Sequence, residues 1–319
     1  MRKLLTVVIA LCLAVVFCTA FAESPASGHK VGFIQLTLQS NYHAAMSDHF
    51  EEIAKAAGME AVMTNGEWDL EAELRLCEDL IAQGCEAIIL NPCGDEAVPA
   101  VLAKCQAAGI PLVCVDNTAP GAGYVYCGID NYAIARGIGQ YVGEKYGAGN
   151  IVYARSTAID TGCPAQRFGG IMGGLSDEGE VKGYNIIDER YVEDVSYDEG
   201  MRVMEDMIAA NDESIDIVIC HRDGEALGAI TAIENAGLDV KVVTGFDGEL
   251  GLLEKIKANQ GGANGCDIVT GLNSPTMVAD MAFQALETHF AGGTMESSYY
   301  TPVVVVSYDN IDEYISYGF

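Results

Sequence analysis

Positive charge is the scarcest commodity in this chain. Lysine and arginine number 17 against 46 aspartates and glutamates, a net charge of −29 at neutral pH. Such a surface repels phosphate backbones and anionic lipid, which excludes nucleic acid as a partner. The short motifs of common enzyme sites are also missing. There is no glycine-rich phosphate loop, no nucleophile elbow, no Cys-x-x-Cys pair and no Cys/His cluster for a metal, so no cofactor or metal is expected. Low-complexity linkers are absent. Tryptophan occurs once, as Trp68, in a polar loop where it is expected to pack locally.

The one long apolar run, Leu4 to Phe17, falls short of the ~20 residues that span a bilayer. It follows Arg2 and Lys3 and leads to Ala20-Phe21-Ala22, the layout of an export signal covering residues 1–22. The product is expected outside the cytoplasm, in the periplasm or on the exterior of the envelope. Cys18 raises lipid anchoring, but the bulky Phe17 before it disfavours that reading. With Cys12 and Cys18 in the expected signal, the remaining nine cysteines (Cys77, Cys85, Cys93, Cys105, Cys114, Cys127, Cys163, Cys220 and Cys266) are odd in number and scattered, unlike a disulfide framework. Cys114, Cys127 and Cys220 sit in apolar runs and act as small hydrophobes; Cys77 and Cys85 could pair, without any feature that requires it.

What the chain does contain is alternation. Short, mostly apolar segments such as Ala87–Leu90, Ile110–Val115 and Ile215–Cys220 alternate with amphipathic stretches such as 97–108, 131–146 and 275–290, many closed by glycine. This predicts parallel strands covered on both faces by helices. The alternation restarts after Asp130-Asn131, so the fold class is α/β, with two similar doubly wound lobes in tandem. Val240-Lys241-Val242-Val243 reads as a strand that Gly245-Phe246-Asp247-Gly248 then breaks; residues beyond Val306 read as an irregular tail.

Ligands of open α/β sheets bind at the carboxyl ends of the strands. Those ends carry Tyr42 and His43, Asn91, Asp116 and Asn117, Arg222, Phe246 and Asp247, with Arg167 opening a helix nearby and Asn273-Ser274 following the last parallel strand. Carboxylates, amides and guanidiniums grip vicinal hydroxyls, and rings cover apolar sugar faces. Each has a plainer role: Asn91 could end a strand, Asp116 and Asp247 could cap helices, Arg167 could form a surface ion pair, and Arg222 could pair with Asp223 or Glu225. Asp130 and Asn131 read as hinge and cap groups.

With Ile89-Leu90-Asn91-Pro92, Ile110-Pro111-Leu112-Val113 ending at Asp116, Asp130-Asn131, Ala226-Leu227-Gly228-Ala229 and Gly245-Phe246-Asp247-Gly248 in this order, the chain resembles type I periplasmic sugar-binding proteins, the ribose-binding group above all. The resemblance covers about Val31 to Val306. It implies two Rossmann-like lobes joined by a three-stranded hinge, residues 29–129 plus 273–302 and residues 130–272 plus 303–319, with one ligand enclosed between them. It carries ligand contact onto Tyr42, Asn91, Asp116, Arg167, Phe246 and Asp247; His43, Asn117 and Arg222 join them as departures from the ribose pattern, and Gly271 stands where glutamine is usual. The expected protein is a monomeric receptor that captures a sugar or polyol for the permease of an ABC importer. A chemoreceptor partner, or a non-sugar ligand such as a nucleoside or autoinducer, is the alternative. An enzyme using Asp116, Asp247 and His43 as acid, base and helper lacks a site for developing charge. A repressor would need a basic helix-turn-helix where the export signal stands.

Overall fold

A computed structural model describes residues 23–94, 96–156, 162–176, 183–192, 196–211, 214–263 and 265–319; the expected export signal lies outside them. Two six-stranded sheets form the molecule. The first contains Lys30–Gln35 (β1), Glu60–Asn65 (β2), Ala87–Leu90 (β3), Leu112–Val115 (β4), Val125–Gly128 (β5) and Ser298–Tyr300 (β11), in the order β11-β5-β4-β3-β1-β2 and parallel throughout. The second contains Asn150–Ser156 (β6), Asn185–Val192 (β7), Ile217–Cys220 (β8), Val242–Asp247 (β9), Asp267–Leu272 (β10) and Val305–Val306 (β12), in the order β12-β10-β9-β8-β6-β7, with only β12 antiparallel. Strand for strand the orders coincide, so β4 and β9 are counterparts.

The central strands β3, β4, β8 and β9 are buried throughout because helices cover both faces. In the first lobe Val31, Phe33, Ile89 and Val113 pack beneath Asn41–Ala56 (α1) and Pro275–Phe290 (α9). Ile34, Ile88, Leu90 and Cys114 face Leu70–Ala82 (α2) and Ala97–Ala108 (α3) on the other side. Two further cores flank the second sheet under Asn131–Tyr146 (α4), Gly162–Leu175 (α5), Tyr197–Asn211 (α6), Asp223–Ala236 (α7) and Leu250–Asn259 (α8). Cys114, Cys127 and Cys220 lie in these cores as small hydrophobes.

Helix α4 begins at a capped end, where the Asp130 carboxylate accepts from Ala133 N at 2.9 Å. It then runs so close to α5 that a Cβ on Gly174 would stand 2.1 Å from Arg136 O. That contact, possible only for glycine, brings Arg167 on α5 against the first residue of α4.

Helices α3, α4 and α9 begin and end where the sequence pattern puts them. Two differences have physical causes. Strand β11 is three residues long, partly exposed and at a sheet edge, too short to show a period. Strand β9 does not break at Gly245: it stays paired with β10 through Phe246 to Asp247. Glycine is needed there for space, since a Cβ on Gly245 would lie 2.2 Å from Asp223 Oδ1. The tail also holds a short helix, Ile311–Tyr314 (α10).

Candidate functional site

A cavity of about 530 Å³ opens between the carboxyl edges of the two sheets, within the ~300–1,000 Å³ usual for small-molecule sites. Tyr42, His43, Asp116, Asn117, Arg167, Arg222 and Asp247 line it. Two residues singled out from sequence do not. Asn91 is fully buried behind the wall, where its amide donates to Gln35 Oε1 at 2.9 Å and more weakly to Asp116 Oδ2 at 3.4 Å, while its Oδ1 accepts from Asn117 N at 3.2 Å. Phe246 is buried beneath Arg167, whose guanidinium carbon sits 3.7 Å from the ring centroid. Both shape the wall from behind.

Asp116 and Asp247 occupy equivalent places, one just past β4 and the other the last residue of β9. Both hold a positive φ, 55° and 119°, which is costly for a residue with a Cβ and persists where surrounding contacts enforce it. Neither caps a helix; Asp223 ties down the backbone that follows Asp247, its Oδ2 accepting from Gly248 N at 2.6 Å and Glu249 N at 2.7 Å.

The two carboxylates are held by different means. Arg167 donates through Nη2 to Asp247 Oδ1 at 2.9 Å, through Nε to Asn131 Oδ1 at 2.9 Å and through Nη1 to His221 O at 3.1 Å. The pair is nearly water-free, with side chains 5% and 7% exposed. Burial alone would lower the arginine's pKa, but Asp247 outweighs it and leaves the charge more firmly held than usual. Neighbouring His221 is pushed down to about 2 by burial and the two nearby arginines, so its ring is neutral. Asp116 has no arginine. Its Oδ1 accepts from the Tyr42 hydroxyl at 3.1 Å, and His43 Nε2 stands 3.6 Å from Oδ2. Burial would raise this carboxyl, yet His43, Tyr42 and Asn91 together hold it below the usual carboxylate range.

One polar chain joins the lobes. The single Tyr42 proton is shared between Asp116 Oδ1 and Asn273 Oδ1, the latter 2.9 Å away, and Asn273 Nδ2 donates to Asp247 Oδ1 at 3.2 Å. Asn273 lies where the chain passes from β10 to α9, from one sheet to the other.

Arg222 lines the cavity with its Nε buried and without a hydrogen-bond partner among the described residues. Glu225 binds the backbone beside it, accepting from His221 N at 3.0 Å and Arg222 N at 3.4 Å, rather than its guanidinium. Sequence reasoning did not place Glu249 or Phe319 at the cavity, and both line it. Glu249 adjoins the Gly-Phe-Asp-Gly run, a usable signal; Phe319 lies in a tail without pattern. Trp68 was expected to pack locally and instead lines the cavity 60% exposed. Asn131, read as a hinge and cap group, also faces the cavity and holds Arg167. Gly271 cannot carry the glutamine of the ribose pattern, because a Cβ there would stand 2.5 Å from Ile134 Cγ2.

Two Rossmann-like lobes that share one polar cavity define a two-lobed α/β protein of the periplasmic-binding type. Residues 31–294 match the model of the periplasmic binding protein domain, and the chain belongs to that family. It is 24% identical over 320 residues to the ribose import binding protein of Bacillus subtilis, covering 95% of this chain and 98% of that one. It is 27% identical over 241 residues to a D-apiose import binding protein of Paraburkholderia graminis, covering 73% and 74%. Among solved structures, an ABC transporter periplasmic solute binding protein from Actinobacillus succinogenes with bound D-allose superposes with a TM-score of 0.77 at 24% identity, over 90% of this chain and all of that one. That superposition establishes the shared fold.

Proposed function

We propose that the chain is an exported receptor that encloses a sugar or related polyol between its lobes and delivers it to the permease of an ABC importer. The observation that carries this is the pair of equivalent carboxylates, Asp116 and Asp247, facing one cavity from opposite lobes. Arg167 and Asn273 bind Asp247 through Oδ1, which leaves Oδ2 for ligand hydroxyls. A ligand held by both aspartates favours the closed form, because only closure brings both within reach. Tyr42, His43, Asn117, Arg167 and Arg222 contact the ligand in this reading, with Asn91 and Phe246 acting through Asp116 and Arg167. The lobes are residues 29–129 plus 273–302 and residues 130–272 plus 303–319, and the protein works in the periplasm as a monomer.

The relatives support the ligand class: those named above are described as binding ribose or D-apiose, and a further structural neighbour from Bacillus halodurans holds myo-inositol. The test is a thermal-shift screen of pentoses, hexoses, cyclitols and acidic sugars, followed by calorimetry. A sugar or cyclitol should raise the melting temperature, and Asp247→Ala should abolish the shift. Stabilisation by a nucleoside or amino acid alone would sink the carbohydrate reading, and normal binding by Asp247→Ala would sink the site.

A further inference from the structure

Trp68 is the only tryptophan of the chain and the most exposed large apolar side chain among the described residues, 60% open to solvent at the cavity. Its backbone is costly. Glu67 and Trp68 take consecutive left-handed conformations, φ 56° and 59°, in which a Cβ crowds the chain. The loop is nevertheless fixed at several points. Gly66 N donates to Gln35 O at 2.7 Å, Trp68 N to Leu36 O at 3.1 Å and Asp69 N to Gly66 O at 3.0 Å, so the turn is tied to the end of β1. A rigid, strained loop that leaves its largest apolar side chain uncovered gains little for the core of the first lobe. Such strain is retained where it positions a group for use.

The surroundings say what use. Trp68, His43, Tyr42 and Phe319 all line the cavity and form a row of edge contacts, with successive ring centroids 6.5, 5.3 and 5.3 Å apart. Phe246, the ring that sequence reasoning would lay on a sugar, is buried under Arg167. The most exposed aromatic surface in the cleft is therefore at Trp68.

We infer that Trp68 is a ligand-contact residue whose indole covers the apolar face of a ring held by Asp116 and Asp247. This rests on the receptor function proposed above and narrows it: the ligand is a closed ring with a C–H face, a furanose, pyranose or cyclitol, rather than an open-chain polyol. Stacking needs a flat apolar face, which a ring presents and a flexible chain does not.

The single tryptophan makes the test direct. The full protein is titrated with D-ribose, D-xylose, D-allose and myo-inositol, with glycerol and D-mannitol as open-chain probes, by calorimetry and by tryptophan emission. For the tightest ring, saturation should shift the Trp68 emission to shorter wavelength. Trp68→Ala should raise Kd about tenfold, or ~1.4 kcal/mol, and Trp68→Phe should recover most of that. The unliganded melting temperature should hold within about 1 °C, as for other surface substitutions. If a ring binds but leaves the emission unmoved, and Trp68→Ala binds it within about twofold, the inference is overturned while the receptor function stands. Preferential binding of glycerol or D-mannitol also overturns it. If no probe binds, the receptor reading fails and takes the inference with it.

Discussion

The Arg167–Asp247 pair offers the sharpest quantitative test, because both charges are buried and each has countable partners. Replacing Arg167 by Met keeps an apolar chain of similar length over Phe246 but leaves Asp247 without its cation. Removing one member of a buried ion pair costs about 3–5 kcal/mol, since the survivor keeps its desolvation penalty and loses its attraction. Asp247→Asn strands the arginine less completely, because Asn131 and the His221 carbonyl still accept from it at 2.9 and 3.1 Å. A cost of about 2–3 kcal/mol is expected there. The double variant Arg167→Met/Asp247→Asn buries neither charge. It should lose less than the sum of the single changes by at least about 2 kcal/mol, a coupling typical of contacting residues. The assay is urea unfolding of ligand-free protein followed by circular dichroism for all four proteins of the cycle. Additivity within about 0.5 kcal/mol would mean that the pair is not what holds Asp247 in its strained conformation, and the account of the second lobe's carboxylate would fail.

Two further outcomes are expected. Burial pushes the carboxyls of Glu73 and Glu225 up to about 7, and burial with the nearby Asp247 charge pushes Asp223 to about 8. Their folded pKa values thus exceed their unfolded ones, so their contribution is present at low pH and is lost as pH rises through the folded values. His221, depressed to about 2, acts oppositely, but only below its unfolded value of ~6.5. Between pH 6.5 and 8.5 ligand-free stability should therefore fall, by on the order of 2–3 kcal/mol, and Glu225→Gln should flatten the slope; stability rising across that window refutes the assignment. Separately, Gly245→Ala should cost about 1–3 kcal/mol and weaken ligand binding, because its Cβ meets Asp223 Oδ1, which Thr270 Oγ1 also holds at 2.6 Å. Gly169→Ala on α5, where the nearest atom is 3.9 Å away, is the control and should be close to neutral in the same denaturation assay.

The fold was legible because its signals are local. All-apolar runs such as Ala87–Leu90 and Ile217–Cys220 can only be strands buried on both faces, and both are. The site was legible as far as strand ends reveal it: Asp116 and Asp247 do meet across one cavity. What could not be read is which side chain faces the cleft and which stands behind it. Asn91 and Phe246 occupy strand-end positions like their neighbours, yet the buried Gln35 amide and a guanidinium claim them first. Trp68 was misread because a polar loop gives no sign of its backbone angles. Consecutive left-handed residues at Glu67 and Trp68 arise from hydrogen bonds to β1, a strand distant in sequence.

The equivalence of the lobes makes their difference informative. Both place an aspartate at the end of the fourth strand with a positive φ, so the backbone solution is shared. In the second lobe that aspartate is locked by an arginine that stacks on Phe246, binds Asn131 and carries a permanent charge. In the first it is held by a tyrosine hydroxyl, an amide and a histidine 3.6 Å away. The second lobe thus presents a fixed acceptor, while the acceptor of the first depends on Tyr42, whose proton is also drawn toward Asn273 at the crossover. By the proposed lobe bounds Tyr42, Asp116 and Asn273 share the first lobe and Arg167 and Asp247 the second, so of these contacts the one that crosses the cleft is Asn273 Nδ2 to Asp247 Oδ1. The bond from Asn273 to Asp247 thus continues through the Tyr42 hydroxyl to Asp116, so one short polar chain links the two carboxylates.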